Sequence, residues 1–165
     1  MDHNLKIVAR KATINDVDML IDLRKLLLNE GAGHYVSKSP EEQMAWQKSY
    51  RKWLIHNIPA NEKMVIAVAH YDGETEISAC AIGIIDERAP MKGCLNGLVG
   101  WVQSVVVHPE RRRRGFAECL MNYILDWFQA NNVEKVILQT TPIAKNLYKK
   151  LGFIDSGEEL LIKEI

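Results

Sequence analysis

Apolar positions change their spacing several times along the chain, and each change marks an element. Residues 5–12 carry Ile7 and Val8 in a short β-type run, read as a first strand. Thr13 offers an N-cap with Asp16 three residues on. Val17, Leu20, Ile21, Arg24, Leu27 and Leu28 then recur at helical spacing until Gly31-Ala32-Gly33 stops the helix. Ser39, Pro40 and Glu42 supply the cap, first residue and Ser-x-x-Glu box of a second helix, which carries Trp46, Tyr50, Trp53 and Leu54 and ends before Pro59. Beyond residue 63 the pattern becomes β-type: residues 64–71 and 77–85 read as strands joined by an Asp72-Gly73 turn, 86–97 as a loop and 98–107 as another strand. Residues 115–131 form the strongest helix, with Ala117, Leu120, Met121, Ile124, Leu125 and Phe128 on one face. Residues 133–139 read as a buried strand, and 143–151 as a short helix with Thr141 as a candidate cap and Pro142 at its start. Two short strands around Ser156-Gly157 complete the pattern. That order predicts an α+β domain with one largely antiparallel sheet.

The 165 residues fit one domain, 1–165. Lys plus Arg and Asp plus Glu number 21 each, so no global charge draws the chain to nucleic acid or anionic lipid, and any anion site is local. No apolar run reaches membrane-spanning length, and the opening Met-Asp-His-Asn-Leu-Lys lacks a signal-peptide core. Cys80, Cys94 and Cys119 are odd in number and widely spaced, which suits a reducing cytoplasm better than a disulfide framework. The expectation is a cytoplasmic protein with no membrane partner. His3, His34, His56, His70 and His108 have no metal-ligand spacing, so no metal is expected. No Gly-x-Ser-x-Gly elbow is present, which argues against a serine hydrolase.

The chemistry concentrates in Ser104-Val-Val-Val-His-Pro-Glu-Arg-Arg-Arg-Arg-Gly-Phe-Ala-Glu-Cys-Leu-Met121. A β-branched strand enters a Pro-containing turn, a basic loop, Gly115 and a good helix. The first turn of a helix leaves amides unpaired at the positive end of its dipole, where a phosphate satisfies them. Gly115 has no Cβ to hold the phosphate off the backbone, and Arg112, Arg113 and Arg114 add charge. A nucleic-acid patch and a solvated loop are alternative readings of the arginines. A P-loop is excluded by the lack of a following Gly-Lys-Ser/Thr.

The form Arg112-Arg113-Arg114-Gly115-Phe116-Ala117 resembles the Arg/Gln-x-x-Gly-x-Gly/Ala signature of the GNAT N-acetyltransferases, and Ala144-Lys-Asn-Leu-Tyr-Lys-Lys-Leu-Gly-Phe153 resembles that family's later Ala-x-x-Leu-Tyr-x-x-x-Gly-Phe segment. Arg10 to Asp16 is similar to its usual opening. The resemblance implies a three-layer α/β/α fold whose central mixed, mostly antiparallel sheet has a splayed parallel strand pair. It implies acetyl-CoA as co-substrate and an amine, small-molecule or peptide, as acceptor, with a homodimer as an option. By the same resemblance, Val105, Val106 and Val107 meet the pantetheine arm, and residues 112–117 hold the pyrophosphate. Asn146 touches the cofactor, and Tyr148 protonates the departing sulfur, as a phenol can. Thr141 stands where the family usually has asparagine.

The strand entering the cofactor loop carries Gln103 and Ser104 but no carboxylate to act as general base, and Asp86 and Glu87 read better as solvated loop residues. A water chain can serve instead. The same gap sustains a rival reading, an acyl-CoA-binding regulatory module without catalysis. Residues 24–57 are expected to shape the acceptor site, with Trp46, Tyr50 and Trp53 either lining a pocket or packing as core.

Overall fold

The computed structural model describes residues 5–30 and 35–165, so the Gly31-Ala32-Gly33 helix stop and the opening four residues lie outside the described residues. The chain runs β1 (Ile7–Lys11), α1 (Val17–Glu30), α2 (Pro40–Asn57), β2 (Met64–Tyr71), β3 (Ala79–Glu87), β4 (Leu98–Val107), α3 (Phe116–Ala130), β5 (Lys135–Leu138) and α4 (Lys145–Lys150). The strands lie in sequence order, antiparallel except for the parallel pair β4–β5.

Helices cover both faces of this sheet. Leu20, Ile21, Leu23, Tyr50 and Leu54 of α1 and α2 pack on Ile66, Val68, Ile82 and Val106. Phe116, Leu120, Met121, Ile124 and Phe128 of α3 pack on Val65, Ala67, Ala69, Ala81 and Val102 on the other side, joined by Tyr148 of α4. Burial on both faces explains why β2 and β3 read as almost continuous apolar runs rather than alternating ones. Two glycines set the close approach of α3. A Cβ at Gly100 would lie 2.8 Å from the Phe128 ring, and one at Gly83 would lie 3.1 Å from Ile124 and Phe128.

The start of α1 is pinned to β1 by Asp16, which is only 2% exposed. Its carboxylate accepts from Arg10 Nη1 at 2.7 Å and Nη2 at 3.0 Å, and from the Thr13 amide at 2.7 Å. Burial alone would push this carboxyl up. The Arg10 and Thr13 hydrogen bonds outweigh it and hold the group below the usual carboxylate range. At α2, the Ser39 hydroxyl accepts from Glu42 N as the cap motif requires, whereas the Glu42 carboxylate reaches the Lys38 amide, one residue outside the expected box.

Several expectations are corrected. The β2–β3 connection is longer than a two-residue hairpin. Tyr71 still pairs with Ile7 of β1, and β3 begins only at Ala79, although Gly73 does take a turn conformation at φ +85°. The strand over 133–139 shortens to Lys135–Leu138 and is half-buried rather than buried, because it is the sheet's edge. Thr141 and Pro142 do not open α4; its N-cap is Ala144, with Ile143 left 95% exposed. The two strands expected after Phe153 do not form. Lys145 and Lys149 hold Asp155 back on α4, at 2.6 and 3.4 Å, and the apolar run Leu160-Leu161-Ile162 lacks the alternation that would give a half-buried strand one inward face. Among the described residues no helix is long and apolar enough to cross a membrane.

Candidate functional site

The candidate site lies where β4 leaves β5 and turns toward α3. Pairing between the two ends at Val102 and Leu138, and residues 103–107 of β4 continue without a β5 partner. The cause of the departure is visible in the register with β3: Cys80 faces Val106 while Ile82 faces Gln103, so Ser104 and Val105 together oppose Ala81. This is a β-bulge, and Ser104 sits at φ +54°, a left-handed conformation costly for a residue with a Cβ. Residues 103–107 thus keep β3 on one edge and have no β5 partner on the other.

At the end of β4 the chain passes through a short turn at Pro109–Arg111 into the basic loop. Arg113 at φ +60° and Gly115 at φ +94° both adopt left-handed backbone just before α3. The first α-helical bond of α3 runs from Cys119 N–H to Gly115 O at 3.0 Å, so the amides of Phe116, Ala117 and Glu118 precede it and point out of the helix end. Gly115, the N-cap, has no side chain to cap this terminus. Among the described residues, a Cβ on Gly115 would meet Ile7 Cδ1 at 3.7 Å and nothing nearer.

The four arginines divide by task. Arg111 pairs with Glu74 at 3.3 Å and lies over the Tyr71 ring at 4.8 Å, which ties the loop to the end of β2. Arg112 donates to Val107 O at 3.2 Å and to Glu30 at the end of α1. Arg113 and Arg114 are exposed and have no ion-pair partner among the described residues, so they carry the charge available beside the amides. The side chain of Phe116 is buried against Tyr71, ring centroids 4.9 Å apart, which leaves only its amide for a ligand. Val106 is likewise turned into the α1–α2 core, and Val105 and Val107 line the α3 face.

Tyr148 is 6% exposed and stands edge-on to Phe153 at 6.0 Å, in the same apolar cluster as Val105 and Leu138. Burial pushes its phenol above the ordinary tyrosine value. No hydrogen bond holds its hydroxyl among the described residues, and no buried polar side-chain atom there lacks a partner, so the hydroxyl end reaches an accessible surface. Asn146 is exposed on α4. Asp86 and Glu87 sit opposite Val99 and Leu98 and pair with Arg88 and Lys63. That is five and six residues before Ser104, or about 17–20 Å along the strand, too far to take a proton at the bulge. A hollow of about 600 Å³ is lined by residues 57–66 with Lys11 and Ala12, and one of about 680 Å³ by Arg10, Asp16, His70 and Glu74, whose carboxylate pairs with Arg111 of the basic loop.

Sequence reasoning passed over one residue at this site. Arg24 of α1 donates to Ser104 Oγ at 2.6 Å and lies over the Tyr50 ring at 4.6 Å. The signal was present: a cation standing in the apolar stripe of an amphipathic helix, between Leu20 or Ile21 and Leu27 or Leu28.

The acetyltransferase (GNAT) family model matches residues 26–153. Glucosamine 6-phosphate N-acetyltransferase 1 of Oryza sativa subsp. japonica is 30% identical over 89 residues, which is 54% of this chain and 53% of the relative, so the chain spans about half the length of the curated relative it matches. Among solved structures, a GCN5-related N-acetyltransferase from Ralstonia eutropha aligns with TM-score 0.78 at 22% identity over 97% of this chain and 99% of that one. A "predicted acetyltransferase with acetyl-CoA" from Clostridium acetobutylicum aligns with TM-score 0.76 at 23% identity over 96% of both chains.

Proposed function

This chain belongs to the GNAT acetyltransferase family, and from that premise we propose that it moves the acetyl group of acetyl-CoA to an amine at the β4 bulge. The observation that carries the proposal is the junction of an unpaired strand edge over residues 103–107 with the open amides of residues 116–118. An acyl-CoA needs both: a groove of main-chain donors and acceptors for the pantetheine amides, and a helix terminus with positive charge for the diphosphate. Arg113 and Arg114 supply that charge.

Each group then has a task. The amides of residues 116–118 hold the pyrophosphate, and Val105 and Val107 hold the arm by backbone bonds. Donors beside Val105 face the oxygen that gains charge as the amine adds to the acetyl carbon. The C–N bond forms as the C–S bond breaks, and Tyr148 gives its proton to the departing sulfur. The acceptor ammonium gives one proton to water before the neutral amine attacks and a second once the C–N bond has formed, because the nearest strand carboxylates, Asp86 and Glu87, are committed to ion pairs elsewhere.

The experiment is release of free coenzyme A from acetyl-CoA against a panel of amines that includes glucosamine 6-phosphate, the acceptor named for the Oryza relative. Turnover with at least one amine, saturable in both substrates, is the expected outcome. Tight coenzyme A binding without turnover on any amine would favour a regulatory binding module instead.

A further inference from the structure

Arg24 is the cation that the proposed mechanism leaves without work. It projects from the middle of α1 across the sheet face and meets β4 at the bulge, next to Val105. Among the described residues, its partners are neutral. Ser104 Oγ accepts one hydrogen bond, the Tyr50 ring lies beneath the guanidinium, and the Cys80 thiol is buried behind it. Burial pushes the Cys80 thiol up to about 12, with Arg24 pulling the other way, and it also raises the Tyr50 phenol. Neither group carries negative charge at neutral pH. Among the described residues Arg24 has no carboxylate partner, whereas Arg10, Arg51, Arg88, Arg111 and Arg112 all have one.

A guanidinium has five donors in a planar fork suited to a carboxylate or a phosphate. One donor goes to Ser104, and Tyr50 takes at most one more through its hydroxyl, so among the described residues donors remain for a ligand. A half-buried cation is costly without a counter-charge, and stacking on one tyrosine recovers only about 0.5–2 kcal/mol. The surrounding floor suits a small polar molecule: Gln103, the neighbouring residue in β4, is exposed, and Trp101 is half-exposed two positions further back.

We infer that Arg24, steadied by Ser104 and Tyr50, binds an oxyanion group of the acceptor, so that the substrate is an amine carrying a carboxylate or phosphate close to its reacting nitrogen. This rests on the acetyl-transfer reading above. Neutralising the substrate's anion at Arg24 orients the amine toward the acetyl carbon beside Val105. It also selects against simple polyamines, which would place a second cation against a guanidinium.

The test uses matched probe pairs: glycine against glycinamide, and glucosamine 6-phosphate against glucosamine. Binding is measured by calorimetry on protein saturated with coenzyme A, and acetylation separately by release of coenzyme A from acetyl-CoA. The anionic member of at least one pair is expected to bind, and to be acetylated with kcat/KM, at least tenfold better than its neutral partner, and the pair that responds tells carboxylate from phosphate. Arg24→Gln is expected to bring that ratio to near one while leaving coenzyme A affinity within twofold. Equal use of both members by the unsubstituted protein, or no binding of either anionic probe, overturns the inference without reference to any variant. A ratio unchanged in a folded Arg24→Gln protein overturns it as well. Failure to bind coenzyme A at all would instead bring down the acetyl-transfer reading, and this inference with it.

Discussion

Gly115→Glu is expected to weaken coenzyme A binding by at least about a hundredfold, a loss of ~2.7 kcal/mol. Two costs combine. The backbone at this position has φ +94°, so any side chain pays about 1–2 kcal/mol to keep the geometry of the helix start. A carboxylate would also stand next to the amides of residues 116–118, and its charge would repel the diphosphate that those amides and Arg113 and Arg114 attract. Gly115→Ala separates the two terms. Its Cβ meets only Ile7, at 3.7 Å, so it pays the backbone cost alone and should lose about tenfold. Calorimetric titration of coenzyme A into both variants checks this; equal affinities for the two would mean that no phosphate sits at this helix end.

Tyr148→Phe is expected to lower kcat about a hundredfold, at the modest end of general-acid effects because a thiolate already leaves well. Coenzyme A affinity should stay within twofold. The substitution keeps the ring that packs on Phe153, so loss of fold cannot stand in for loss of the proton. The pH profile gives a second reading. Burial raises the Tyr148 phenol, so it remains a proton donor through neutral and mildly alkaline pH. Loss of the acid form should therefore depress kcat only above the ordinary tyrosine range, near 10. A Phe variant with unchanged single-turnover rate would remove Tyr148 from the chemistry.

Much of this architecture was legible in the sequence for local reasons. The caps at Thr13 and Ser39, the 3.6-residue stripe of α3 and the β-branched run of β4 are short-range signals, and the elements fall where they point. Gly115 was legible too, since a glycine between a basic loop and an amphipathic helix has few structural uses. What escaped depends on partners distant in the chain. Arg112 looked like part of a continuous anion cradle with Arg113 and Arg114, yet it is engaged by Glu30, 82 residues away. The Ser104 bulge has no sequence signature, because its left-handed backbone belongs to a residue type not specialised for it. The contact between Arg24 and Ser104 joins positions 80 residues apart, and only the cation's place in an apolar stripe hinted at it. The strands expected after Phe153 failed for the opposite reason: a local β-type composition found no inward face to bury.

Acetyl transfer at this site requires a diphosphate held by the start of α3. Backbone amide resonances recorded while coenzyme A is titrated into the protein test that claim most directly. Saturable shifts that are largest at residues 113–118 and continue along residues 103–107 are the expected result. Binding that leaves those amides unmoved and perturbs another surface would contradict it.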